Sequence, residues 1–201
     1  MADSIRLFVA VNLDDSLRQS VADTEQRLRA AGADVKWVRA DSLHITLKFL
    51  GWVDDDVVPQ VAQAIAQAVQ GQPPFLLSLA GLGGFPTPTA PRVIWVGIEE
   101  GAAELAGLGQ RMEQAMEPLG FEREEREFSP HVTIGRCRSA AGRPQLIAAM
   151  QRERDRRFGQ MQVLRVELMR SDLRPTGPIY TSQRAFELEG GASGRQERDN
   201  V

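Results

Sequence analysis

Two stretches decide the fold, Leu43-His-Ile-Thr-Leu-Lys-Phe-Leu-Gly51 and Phe128-Ser-Pro-His-Val-Thr-Ile-Gly-Arg136. Each reads as a half-buried strand in which polar and apolar residues alternate. Side chains at i and i+2 share a face of a strand, so His44 and Thr46 point one way while Ile45 and Leu47 enter the core. His131 and Thr133 share a face in the same manner, with Val132 and Ile134 inward. The chain holds two histidines in all, and both occupy this one tetrapeptide pattern.

Each pattern closes a longer repeat. Arg6-Leu-Phe-Val-Ala-Val11 resembles Arg92-Val-Ile-Trp-Val-Gly97, and His44 and His131 follow these arginines at 38 and 39 positions. Between them, residues 14–30 and 104–119 carry the helical period, the first opened by Asp14 or Asp15 and ended by Gly32. A further helix is predicted over 54–70 and a charged surface helix over 144–157. Strands are predicted at 5–11, 43–50, 75–82, 92–98, 131–138, 162–169 and 179–188. The run 81–91, rich in glycine and proline, reads as a turn; it lacks the Gly-Lys-Ser/Thr ending of a phosphate loop. The expected architecture is α+β: a bilobal duplicated domain over 1–188, with two antiparallel sheets lining a central cleft, helices outside, and lobes related by a pseudo-two-fold axis. Residues 189–201 are small and polar, and are expected to form a disordered tail.

Composition bounds the function. At 201 residues with 42% hydrophobic and 25% charged residues, the chain reads as an ordinary soluble globular protein. Asp3 lies in a start without a long apolar run, so no signal peptide, no membrane partner and a cytoplasmic location are expected. A net charge of −3 argues against coating nucleic acid through a broad basic field, so any RNA is expected to bind locally, at an end. The lone Cys137 forms no internal disulfide, and neither histidine motif carries an Asp or Glu to complete a metal site. No metal and no cofactor are expected, and a monomer is.

If the duplicated lobes face each other, two imidazoles and two hydroxyls meet across one cleft. That set suits phosphodiester hydrolysis, in which one imidazole takes a proton from water and the other gives one to the departing ribose oxygen. An unperturbed histidine pKa of about 6.5 lets a pair hold opposite protonation states near neutrality. Thr46 and Thr133 can donate to the non-bridging phosphate oxygens, where charge rises in the transition state.

These stretches, with Gly83-Gly-Phe-Pro86, resemble the 2H phosphoesterase superfamily, in particular its RNA 2′,3′-cyclic phosphodiesterase branch, once called 2′-5′ RNA ligase. The resemblance runs from about residue 5 to 188. It implies a bilobal α+β fold with a water-filled cleft, and hydrolysis of RNA 2′,3′-cyclic ends to 2′-phosphomonoesters. It also assigns His44 as proton donor and His131 as acceptor, roles the residues alone leave interchangeable. Ligation of tRNA halves through a 2′-5′ linkage is implied as a side activity, the same step with a ribose hydroxyl replacing water.

Five further positions are candidate contacts, each with a plainer alternative. The resemblance expects Arg136 to touch phosphate; strict alternation puts it opposite His131, unless a bulge at Gly135 turns it back, and a surface salt bridge is the alternative. Lys48, four after His44, is expected on its face, either at the RNA backbone or simply in solvent. Phe49 and Trp37 can stack on a base or fill the core. Tyr180, the single tyrosine, can reach the cleft or stay partly buried. The competing functions are a cyclic phosphodiesterase of small nucleotides and a non-catalytic RNA-end binding module.

Overall fold

The computed structural model describes residues 4–175 and 177–189. The chain runs β1 (Ser4–Asn12), α1 (Asp15–Arg29), β2 (Val35–Trp37), β3 (His44–Asp54), α2 (Val58–Val69), β4 (Phe75–Phe85), β5 (Val93–Glu100), α3 (Ala102–Met116), β6 (His131–Cys137), α4 (Arg143–Arg152), β7 (Arg157–Val163), β8 (Arg165–Arg174) and β9 (Gly177–Glu187). Local chemistry explains the boundaries. The Asp14 carboxylate accepts from the Leu17 amide at 2.8 Å and caps α1, a contact worth about 1 kcal/mol. Leu17, Val21 and Leu28 of α1, Val61 and Ile65 of α2, and Leu105, Leu108 and Met112 of α3 are all fully buried. Truncating any one of the large ones to alanine removes about 2–5 kcal/mol.

Every strand pairing is antiparallel, in the order β7-β4-β5-β6-β3-β1-β8-β9, with β2 added on β6. The two expected sheets are the halves of one strongly curled sheet. They join where β3 meets β6, through the pairing of Ile45 with Val132. Those are the residues between histidine and threonine in the two motifs, so the pseudo-two-fold axis runs through the motif pair itself. Each repeat also passes a strand across: β4 follows α2 yet pairs with β5, and β8 follows α4 and β7 yet pairs with β1.

The sheet separates two apolar clusters. Leu7, Val9 and Val11 enter the main core with the helices. Phe8 and Ala10 point the other way, into a small cluster with Met169 and the half-buried Tyr180. That second face carries the histidines.

Several boundaries differ from expectation. The helix predicted over 144–157 stops at Arg152, and Arg157–Val163 is a strand, so three strands rather than two finish the chain. The charged run hid this strand, whose inward residues Phe158, Met161 and Val163 are spaced irregularly around Gly159 at φ +117°. The glycines at 81–84 belong to β4 instead of a turn, because Gly81 at φ +79° bulges the strand and Gly83 lies under the Trp95 ring. A Cβ at Gly83 would sit 2.1 Å from that ring. Gly51 does not close β3, which bulges there and continues to Asp54; α2 accordingly starts at Val58 rather than 54. The short strand β2 was not foreseen. Of the expected tail, all but Glu189 lies outside the described residues.

Candidate active site

The backbone places the four motif side chains first. Ile45 and Val132 are fully buried and fix both strands against the core. Extending their antiparallel register by one residue on either side sets His44 across from Thr133 and Thr46 across from His131. The imidazoles and hydroxyls therefore alternate around the axis on one concave face.

Both rings are held in the same way. His44 Nδ1 lies 2.8 Å from the Ser42 carbonyl oxygen, and His131 Nδ1 lies 2.7 Å from that of Ser129. A carbonyl can only accept, so each Nδ1 carries its proton and donates, which leaves Nε2 as the reactive atom in the neutral ring. The Thr46 hydroxyl lies 3.1 Å from His44 Nε2 and donates to it in that tautomer. Burial pushes the pKa of both histidines below its ordinary value; the carbonyls oppose this, while His131 acting on His44, and Arg136 acting on His131, lower them further. In the free protein burial thus disfavours the charged form of both rings.

Aromatic rings back each imidazole. Phe8 on β1 and Tyr180 on β9 approach His44 at 4.9 and 5.2 Å between centroids, and Phe85 on β4 and Trp95 on β5 approach His131 at 5.1 and 6.4 Å. These rings exclude water from one side of each histidine, which is the physical source of the lowered pKa values. Phe8, Phe85 and Trp95 were not identified from the sequence, nor were the Ser42 and Ser129 carbonyls. One signal was available: both motifs read Ser-x-His-x-Thr.

Just after each threonine the strand bulges. The Cα register passes from Ala10–Thr46 to Val9–Lys48, skipping Leu47, and from Trp95–Thr133 to Ile94–Gly135, skipping Ile134. An extra residue reverses the side-chain alternation beyond it. Lys48 was expected beside His44 and instead turns into the protein. It is buried, and its ammonium donates to Glu113 Oε2 at 2.6 Å and to the Glu122 carbonyl at 2.5 Å, so neither RNA backbone nor solvent is within its reach. The same reversal returns Arg136 to the histidine side, where its charge bears on both His131 and Tyr180. Phe49 likewise emerges on that side, exposed, with its ring 6.1 Å from Phe8. Tyr180 is half-buried against Phe8 and His44, combining its two expected environments. Trp37 is not in the cleft: it pairs with Gly135, packs on the main core and lies under the Arg29 guanidinium at 5.5 Å.

Among the described residues no three His, Cys, Asp or Glu side chains cluster as a metal site would require, and no helix is long and apolar enough to cross a membrane. The site's own inventory is two imidazoles with unprotonated Nε2 atoms, two hydroxyls, a guanidinium and a phenol. It can move two protons and hold one anion.

Known proteins resemble this chain over most of its length. A family model described as the 2′-5′ RNA ligase superfamily matches residues 14–175. A Methanothermobacter thermautotrophicus protein named RNA 2′,3′-cyclic phosphodiesterase is 36% identical over 184 residues, 92% of this chain and 99% of that one. One of the same name from Archaeoglobus fulgidus is 36% identical over 183 residues, 91% of this chain and 100% of that one. A crystal structure from Thermus thermophilus superposes with a TM-score of 0.78 at 28% identity, covering 93% of this chain and 100% of that one. The fold, the paired His-x-Thr strands and these relatives lead to one assignment: the chain belongs to the 2′-5′ RNA ligase superfamily, the 2H phosphoesterases.

Proposed function

We propose that this protein hydrolyses RNA 2′,3′-cyclic phosphate ends to 2′-phosphomonoesters, without a metal, using His44 as general acid and His131 as general base. The observation that carries the reading is the pair of unprotonated Nε2 atoms on one face of the sheet, each ring locked through Nδ1 by a backbone carbonyl. A cyclic phosphate has no adjacent free hydroxyl, so water is the nucleophile. His131 takes a proton from that water as its oxygen bonds to phosphorus, the bond from phosphorus to O3′ breaks, and His44 gives a proton to O3′. Thr46, Thr133 and Arg136 hold the non-bridging oxygens as their charge rises.

Local charge supports this division of roles. The Arg136 guanidinium disfavours a proton on His131 and keeps it available as a base. An anionic phosphate entering the cleft favours imidazolium, so the substrate itself loads His44 with the proton it must donate. Binding and proton uptake are therefore linked. The names borne by the two archaeal relatives point to the same substrate class. Ligation of RNA halves through a 2′-5′ bond is the same step with a ribose hydroxyl leaving or attacking in place of water.

The test is end-group analysis of a cyclic-ended oligonucleotide incubated with the protein and excess chelator. A 2′-phosphate product is expected. A 3′-phosphate product, or activity lost to the chelator and restored by a metal ion, would overturn the mechanism.

A further inference from the structure

Beyond the phosphate site, the wall formed by β1 and β3 carries an unassigned pattern. Phe8 pairs with Phe49, and Arg6 pairs with Trp52, the next rung on the same side and further from His44. Arg6, like Phe8, faces away from the main core, so this rung continues the histidine side of the sheet. Phe49 and Trp52 are 61% and 65% exposed, and among the described residues no other phenylalanine, tryptophan or tyrosine is exposed. Both exposed aromatics of the described chain thus occupy neighbouring rungs on one side of one strand.

The bulge at Leu50 and Gly51 creates this arrangement. Positions 49 and 52 would fall on opposite faces of a regular strand; the register shift between Leu7 and Phe8 brings both to the same one. Among the described residues Arg6 makes no ion pair, and its guanidinium donates one side-chain hydrogen bond, to Ser171 Oγ at 3.4 Å. Arg6 stands across from Trp52 on the neighbouring strand, so a cation lies beside that ring at the same rung. Aromatic faces interleaved with a cation are what a single strand of RNA uses: bases stack on the rings while a phosphate meets the charge. Two strand residues advance about 7 Å, the reach of one nucleotide of extended backbone.

We propose that this wall is a subsite for RNA on the 5′ side of the cyclic end. The terminal base lies against Phe49, the preceding base against Trp52, and the phosphodiester between them faces Arg6. This rests on the phosphodiesterase reading and adds to it a preference for an oligonucleotide over a mononucleotide.

The experiment compares kcat/KM on a cyclic-ended hexanucleotide and on 2′,3′-cyclic AMP. Trp52→Ala is expected to lower the oligonucleotide value about tenfold and to leave cyclic AMP within about twofold, because only the longer substrate reaches the ring. Trp52→Phe keeps most of the oligonucleotide value. Arg6→Gln makes the oligonucleotide rate less steeply dependent on salt. Equal losses on both substrates, or no loss on either, would overturn the subsite. If the unmodified protein hydrolyses neither substrate, the phosphodiesterase reading fails instead. Anisotropy of a fluorescent hexanucleotide then decides the subsite alone: unchanged affinity in Trp52→Ala rejects it, and about tenfold weaker binding sustains it.

Discussion

The strands β3 and β6 are the same device built twice, and the comparison between them separates what the chemistry needs in duplicate from what it needs once. Both hold an imidazole through its Nδ1 on a carbonyl two residues upstream, both bury a branched residue between histidine and threonine, and both bulge directly after the threonine. Beyond the bulge they part. The first position is Lys48 in one strand and Gly135 in the other; the second is Phe49 in one and Arg136 in the other. Proton transfer needs two equivalent groups, so the frame is repeated. A nucleotide is not symmetric, and under the proposed reading the positions beyond the bulge offer it an aromatic ring on one lobe and a guanidinium on the other.

The largest expected effect breaks the equivalence of the histidines. His44→Ala and His131→Ala should each lower kcat by about 10²–10⁴-fold with the thermal melt unchanged. Their pH profiles should differ. In the unmodified protein log kcat/KM is bell-shaped and displaced to the acid side of pH 6.5, because burial lowers both pKa values in the free state. The acid limb belongs to the base and should vanish in His131→Ala; the alkaline limb belongs to the acid and should vanish in His44→Ala. The reverse loss would exchange their roles.

Next in size is the position just past the bulge. Lys48→Met leaves the Glu113 carboxylate without its buried partner and should cost about 3 kcal/mol of stability, read from urea denaturation. It should also loosen the segment before Ser129, since Glu122 and Glu124 are tied to the same lysine and carboxylate. At the matching site, Gly135→Ala places a Cβ 2.8 Å from Val35 and 3.0 Å from Trp37, and should cost about 1–3 kcal/mol by overpacking. A lysine variant as stable as the unmodified protein would show that the ion pair does not join the lobes.

The smallest effects sharpen the last difference. Arg136→Gln should raise KM and lower kcat together by about tenfold overall, as a charged hydrogen bond to phosphate is lost. Phe49→Ala should raise KM by a few-fold with kcat nearly unchanged, as a stacking contact made equally in ground and transition states is lost. Steady-state kinetics on one cyclic-ended substrate compares the two directly. Identical kinetic signatures would deny that one lobe holds phosphate and the other base.

Reading from the chain alone succeeded where the signal is periodic and local. The motif strands, the four helices and the duplicated order follow from apolar spacing, and the family from the repeated His-x-Thr. It failed where one inserted residue changes everything after it. Lys48 was placed on the His44 face by strict alternation, and Arg136 was left between two faces, because a bulge has no residue signature at Leu47 or Ile134. Strand β7 was lost in a run of charges, since its inward residues are irregularly spaced.

By itself, the amino-acid order determined which groups are chemically able to act: two imidazoles, two hydroxyls, and the branched residues that anchor them at period two. Only the tertiary structure decided which groups meet. The pairing of Ile45 with Val132, the carbonyls behind each Nδ1 and the bulge that exchanges Lys48 for Phe49 depend on register between strands distant in sequence. Register is set by packing across the sheet, which a linear pattern does not encode.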